Sequence, residues 1–215
     1  MTTLIVIAKE PLPGRAKTRL HPPLSFEQAA QLAAAAIDDT LAAVAALPAS
    51  RRILLFEGAR PPVAAGGYEI MPQVDGDLDE RLAAAFDAVD GPTLLIGMDT
   101  PQLRATDLAE VFEPWGEVDA WFGPAEDGGF WALGLREPHG DHARGDLIRG
   151  VPMSRDDTGD QQLERLATAG LRVGMLRPLV DVDTFADAQR VAATAPATGF
   201  ARLFAEMASV PVDGG

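Results

Sequence analysis

The chain contains no cysteine, which excludes disulfides, thiolate metal sites and thiol nucleophiles. It has little lysine: Lys9 and Lys17 are the only two, and the other sixteen basic residues are arginine. Histidine is scarce, and His21, His139 and His142 show no ligand spacing, so none is assigned a role. No apolar run approaches the ~20 residues that a bilayer-spanning helix needs. The stretch Leu4 to Ala8 is too short for a signal-peptide core, and no basic segment precedes it. Positive charge is outweighed, with a formal net charge of −14 and a pI near 4.5. That balance argues against nucleic acid or a membrane surface as a general partner. No Gly-x-Ser-x-Gly elbow, Walker loop or Gly-x-Gly-x-x-Gly occurs, so hydrolase, P-loop and dinucleotide readings lack support. With 215 residues, 47% of them apolar, the expectation is a single cytoplasmic domain over residues 1–215. Homodimerisation is left open.

What is present is an alternation of strand and helix signals. Thr3 to Ala8, Arg52 to Phe56, Tyr68 to Met71 and Thr93 to Met98 read as strands, the first and last being short and continuously apolar. Val118 to Phe122 and Phe130 to Leu135 read as strands flanking a Gly-rich turn, and Leu171 to Leu176 as another. Ser25 with Gln28 forms a capping-box pattern opening a helix to about Leu47. Further helices are predicted over Asp77 to Val89, Leu108 to Trp115, Gln161 to Ala169, Thr184 to Ala193 and Phe200 to Met207, with Val210 to Gly215 fraying. The pattern predicts an α/β fold, a three-layer α/β/α sandwich with a mainly parallel mixed sheet. Ligands of such sheets sit beyond the carboxyl ends of the strands.

Both lysines fall in the loop after the first strand. Lys9, Arg15, Lys17 and Arg19 stand there against Glu10 alone, a local charge opposite to that of the whole chain. A solvated basic loop would look the same, but the retention of lysine favours an anion site, since lysine and arginine are not interchangeable on phosphate. Replacing Lys17 is expected to weaken nucleotide binding and leave the free protein's stability nearly unchanged.

Three acidic segments are further candidates. Asp99 follows a buried strand and precedes Thr100-Pro101, which puts it at the crevice edge or makes it a turn carboxylate. Asp181 and Asp183 project to one side of an extended segment, where they repel unless a cation lies between them. Oxygen-rich clusters of this kind suit Mg²⁺ or Mn²⁺, although Asp183 or Thr184 would also serve as a helix cap. In Glu126-Asp127-Gly128-Gly129, the glycines permit close approach of a ligand or an ordinary hairpin turn. The Gln73 to Arg81 segment opens a helix whose N-terminus would take a base more readily than a phosphate.

The loop Pro11 to Leu20, the helix start Gly76 to Leu82, Gly97-Met98-Asp99-Thr100-Pro101, Gly123 to Phe130 and Asp181-Val182-Asp183-Thr184 occur in an order that resembles a family. It is the glycosyltransferase-A-like family of radical-SAM/selenodomain-associated transferases, and the resemblance runs from about Thr2 to Gln189. Related in fold are the 2-phospholactate and molybdenum-cofactor guanylyltransferases. The resemblance implies a nucleotide-diphospho-sugar transferase (GT-A) like fold. Ala16-Lys17-Thr18-Arg19-Leu20 is similar to the Ala-Lys-Ser-Arg-Leu stretch of the phospholactate enzymes, where the lysine contacts phosphate. The resemblance implies Mg²⁺ (or Mn²⁺) on Asp99, Asp181 and Asp183 and a phosphate contact from Lys17. Lys17 and Asp99 are the expected catalytic residues, and Lys9, Arg15, Lys17, Arg19, Asp127 and Gly128 the expected donor contacts. The Gly-rich nucleotide loop of the pyrophosphorylases is reduced to Gly14. Gly97 replaces the first Asp of the glycosyltransferase Asp-x-Asp. The expected activity is therefore nucleotidyl transfer from a nucleoside triphosphate to a small-molecule acceptor. Sugar transfer from a nucleotide-sugar is the alternative, and a non-catalytic nucleotide-binding module with a decayed site is a further one. On the acceptor side, Glu126, Asp127, Phe130 and Trp131 would suit a sugar, and Arg136 and Arg155 a phosphate.

Overall fold

The computed structural model describes residues 1–137 and 143–209. His139, His142 and the stretch 210–215 lie outside them. Among the described residues there are seven strands, β1 (Thr3–Lys9), β2 (Arg51–Glu57), β3 (Glu69–Pro72), β4 (Thr93–Gly97), β5 (Ala120–Pro124), β6 (Phe130–Leu135) and β7 (Val173–Met175). They form one sheet in the order β3-β2-β1-β4-β6-β5-β7. Pairing is parallel for β1 with β2 and β4, β2 with β3, and β5 with β7, whereas β6 runs antiparallel to both β4 and β5. The mainly parallel mixed sheet is as the sequence predicts.

Helices α1 (Phe26–Val44), α2 (Leu78–Asp87), α3 (Thr158–Thr168), α4 (Phe185–Thr194) and α5 (Gly199–Ser209) complete the fold. The alternation within β1 shows why there are three layers. Leu4, Val6 and Ala8 pack with Ile37, Leu41 and Val44 of α1, while Ile5 packs with Leu82 and Phe86 of α2. Successive side chains of a strand point to opposite faces, so a continuously apolar strand needs cover on both. A third cluster joins α1 to α4 and α5 through Leu32, Val191, Phe200 and Phe204.

Local signals explain most boundaries. Ser25 caps α1: its hydroxyl accepts from the Gln28 amide at 3.2 Å, and the Gln28 side chain accepts from the Ser25 amide at 2.8 Å. The helix predicted over Leu108 to Trp115 is instead 3₁₀ over Ala105–Phe112, ending just before Pro114. The residue before a proline is pushed out of the helical region, which cuts this segment short. Among the described residues no helix is long and apolar enough to cross a membrane.

One buried arginine holds the end of α2. Arg144 donates to the carbonyls of Phe86 and Gly91 at 2.6 Å each, to the Val89 carbonyl, and to Thr93 Oγ1 at 3.1 Å. It closes helix-end carbonyls that have no partner within the helix. Arg144→Ala should destabilise the protein by about 3 kcal/mol in urea denaturation, because several buried acceptors lose their donor together. A loss below about 1 kcal/mol would show that these carbonyls find other donors.

Candidate active site

The carboxyl ends of β1 and β4 open into a cleft of about 780 Å³. Its first wall is the loop after β1. Ala16 and Leu20 are fully buried and pin this loop to the body, while Arg15, Lys17, Thr18 and Arg19 line the cleft. Gly14 takes φ +70°, and Lys17 itself sits in the left-handed region at φ 49°. That conformation is unusual for a residue with a side chain and persists where the surroundings fix it.

What fixes Lys17 is a pair of carboxylates. Its Nζ lies 2.8 Å from Asp99 Oδ1 and 3.0 Å from Asp183 Oδ1, and the side chain is only 7% exposed. Burial would lower the Lys17 pKa, but Asp99 and Asp183 outweigh it and raise it. Burial would likewise raise Asp183, but Lys17 and then Arg19, whose guanidinium is 3.3 Å away, hold its carboxyl below the usual range.

The three aspartates meet because the backbone brings them together. The Val182 N–H donates to the Asp99 carbonyl at 3.0 Å, and Gln102 Nε2 donates to the Val180 carbonyl at 2.7 Å. Val182 is buried, so Asp181 and Asp183 on either side of it turn towards the cleft. The cap of α4 is Thr184, whose Oγ1 accepts from the Asp187 amide at 3.3 Å. Asp183 is thus free of capping duty, and Asp99 is an ion-pair partner and not a turn carboxylate.

Asp181 differs from its neighbours. Its Oδ1 is buried without a hydrogen-bond partner. Burial first, then the charges of Asp99 and Asp127, push its carboxyl up to about 7. The oxygen donors of Asp99, Asp181 and Asp183 have the chemistry a hard divalent cation prefers, and the orphaned Asp181 oxygen lacks a positive partner. Among the described residues, however, no three acidic or histidine side chains stand grouped as a ready metal cage. The ammonium of Lys17 stands between two of the three.

The remaining expected residues divide. Lys9 lines the cleft, as do Asp127, Phe130, Trp131 and Arg155. The Asp127 carboxylate also accepts from the Gly129 amide at 2.9 Å. Gly128 does not line the cleft. At φ +90° it lies against the main chain of Asp156, where an added Cβ would sit 1.9 Å from the carbonyl oxygen. The close approach it permits is that of the chain's own 154–159 segment, with the Gly159 amide donating to the Gly128 carbonyl at 2.8 Å. Glu126 is taken by Arg190 at 2.5 Å, and Arg136 pairs with Asp119 away from the cleft. Gln73 does line it, but its amide is fully engaged: Nε2 donates to the carbonyls of Ala8 and Leu55, and Oε1 accepts from Arg81. Arg81, at the end of the Gln73 to Arg81 segment, lines the cleft as well, as do Asp187, Met153, Ser154 at φ 58° and Asp156, and the last four carry no motif that marks them in the sequence.

A family profile described as "Uncharacterized protein conserved in bacteria (DUF2064)" matches residues 30–155. The chain belongs to this family. The matched stretch includes Asp99 and the 126–129 turn but neither Lys17 nor Asp181 and Asp183. No protein with curated annotation matches the chain in sequence at a significant level. Among solved structures, a putative nucleotide-diphospho-sugar transferase from Desulfovibrio desulfuricans G20 superposes with a TM-score of 0.83 at 25% identity, over 95% of this chain and 94% of that one. A nucleotidyl transferase from Methanothermobacter gives 0.58 at 18% identity, over 94% and 98%. The 2-C-methyl-D-erythritol 4-phosphate cytidylyltransferase from Thermus thermophilus gives 0.55 at 15% identity, over 91% and 100%. The last two likenesses establish the shared fold.

The site's electrostatics change the expectation for Lys17 and add one for Asp181. Lys17 is no loosely held side chain, because its removal leaves Asp99 without its ion-pair partner and Asp183 with the exposed Arg19 in its place. Lys17→Ala should therefore cost about 2 kcal/mol, less than a fully buried pair because both carboxylates are partly solvated. An unchanged melting temperature would contradict this. Asp181, with its folded pKa raised from 3.8 to about 7, favours folding fully below about pH 4 and loses that contribution as pH rises through 7. In metal-free buffer, Asp181→Asn should melt several degrees above the wild type at pH 8, with the gap closing towards pH 4. A gap that is constant with pH would count against a protonated Asp181.

Proposed function

We propose that this protein is a transferase acting on a nucleotide donor, and that it is a divalent-metal-dependent nucleotidyltransferase. The observation that carries this reading is the pairing of Lys9, which ends β1 instead of lying in the loop as the sequence suggests, and of Arg15 and Arg19 in the loop after it, with an aspartate cluster across one cleft at the carboxyl edge of the sheet. The likeness to the Desulfovibrio putative nucleotide-diphospho-sugar transferase, at 25% identity over nearly the whole chain, supports a nucleotide-bearing donor and does not separate a triphosphate from a nucleotide-sugar. The fold shared with a nucleotidyl transferase and a cytidylyltransferase agrees with it.

Arg15 and Arg19 offer planar forks, and Lys9 a mobile point charge, to a polyphosphate. Asp99, Asp181 and Asp183 are the residues that would hold Mg²⁺ or Mn²⁺. The ion, when bound, would neutralise charge on the transferring phosphate and make an acidic site hospitable to an anion. An acceptor oxygen attacks the α-phosphorus, the bond to the bridging oxygen breaks, and pyrophosphate leaves. The protein supplies position and charge, with no need of a protein nucleophile. Arg155, at the acceptor side of the cleft, would bind an anionic acceptor group.

Glycosyl transfer is the second reading. It is favoured by Asp127 facing the cleft beside Phe130, a polar partner and an apolar wall of the kind a sugar pocket uses. It is disfavoured by Gly97 at the place of an Asp and by Arg155. Donor hydrolysis in the presence of Mg²⁺ separates the readings: pyrophosphate from a triphosphate is expected, and nucleoside diphosphate from a nucleotide-sugar alone would overturn the first choice. Absence of turnover and binding with every donor would leave a non-catalytic module. The double replacement Arg15→Ala with Arg19→Ala should weaken triphosphate binding about tenfold or more without lowering the melting temperature, since Arg19 is exposed and each fork contributes on the order of 1 kcal/mol. Unchanged affinity in calorimetry would remove the loop from the donor site.

A further inference from the structure

We propose that Lys17 is the resident cation of the aspartate site and sets its affinity for metal. Its ammonium and a divalent ion compete for Asp99 and Asp183, so metal enters together with a polyphosphate that takes Lys17 over. The proposal rests on the nucleotide reading above.

Three observations lead to it. The Lys17 ammonium contacts one oxygen of each of two carboxylates, at 2.8 and 3.0 Å, in the place where a cation shared by Asp99 and Asp183 would sit. A divalent ion admitted there meets a like charge at close range, so the two cannot share the position. Second, Lys17 leaves the site undercharged: the Asp181 oxygen stays buried and without a partner, and Asp127 adds a further negative charge nearby. The site has room for more positive charge than one ammonium provides. Third, the backbone around Lys17 is held by packing, whereas its side chain is held by two ion pairs that another anion can replace. Ala16 and Leu20 are buried, and the left-handed backbone at Lys17 fixes its Cα. The four-carbon stem is the part that can turn, and Arg15 and Arg19 line the same cleft beside it. A polyphosphate held by these arginines offers Lys17 a new partner as metal takes the old ones.

Metal and polyphosphate then bind with positive coupling, each raising the affinity for the other by the same factor. Without polyphosphate, Lys17 keeps the metal out. Without Lys17, metal binds on its own.

Mn²⁺ binding, followed by electron paramagnetic resonance on metal-stripped protein, tests this. Lys17→Met should bind Mn²⁺ about tenfold tighter than the wild type, and the gain in Mn²⁺ affinity given by inorganic tripolyphosphate should shrink, in the usual range of coupling between sites. The wild type supplies an independent measurement should that variant fold poorly. Lysine labelled with ¹³C at Cε gives two resonances, Lys9 and Lys17. Mg²⁺ alone should leave the Lys17 resonance in place, and Mg²⁺ with tripolyphosphate should move it. Equal Mn²⁺ affinity in wild type and variant, or a Lys17 resonance that stays fixed while tripolyphosphate and metal bind, would overturn the proposal and leave the nucleotide reading standing. Failure of both Mn²⁺ and tripolyphosphate to bind would sink the two together.

Discussion

Four aspartates, Asp99, Asp127, Asp181 and Asp183, share one cleft edge, and a single buried ammonium stands among them. The arrangement depends on this imbalance. The Val182–Asp99 main-chain bond sets the spacing of the carboxylates, and the packing of Ala16 and Leu20 sets the lysine. Each supports the other, because like charges brought this close repel where the counter-ion is missing.

The fold itself follows from the burial demand of two-faced strands. Once β1 and β4 are apolar on both sides, helices must cover both faces, and the strand ends are the remaining open ground. The antiparallel β6 between β4 and β5 carries Phe130 and Trp131 from the Gly-rich turn to the cleft wall. The turn and the 154–159 segment are packed onto each other through Gly128, so this wall of the cleft is built as a unit.

Much of this was legible in the sequence, and the reasons are specific. Apolar runs marked the strands, Ser25 with Gln28 marked the start of α1, and the period of two placed Asp181 and Asp183 on one side. The rarity of lysine marked Lys17. What the sequence did not carry were partnerships between distant side chains. Nothing local tells that Lys17 is buried between carboxylates, that Gln73 is spent on sheet carbonyls, that Gly128 faces Asp156 or that Arg144 closes α2. A glycine in a turn reads the same whether a ligand or the chain's own backbone comes close to it.

The Lys17–Asp183 contact spans 166 residues. During synthesis the lysine emerges first, and the second of its two partners follows only after that whole stretch has been made. A nascent chain thus carries its cationic loop without the acid that neutralises it, and Asp99 arrives with half of the lysine's pairing still to come. Contacts of such separation are slow to close, because the loop-closure entropy comes before any reward. Completion of the site therefore waits on the 181–183 segment: a fragment that stops short of Asp183 presents the loop's charge to the cell with no site to hold it in.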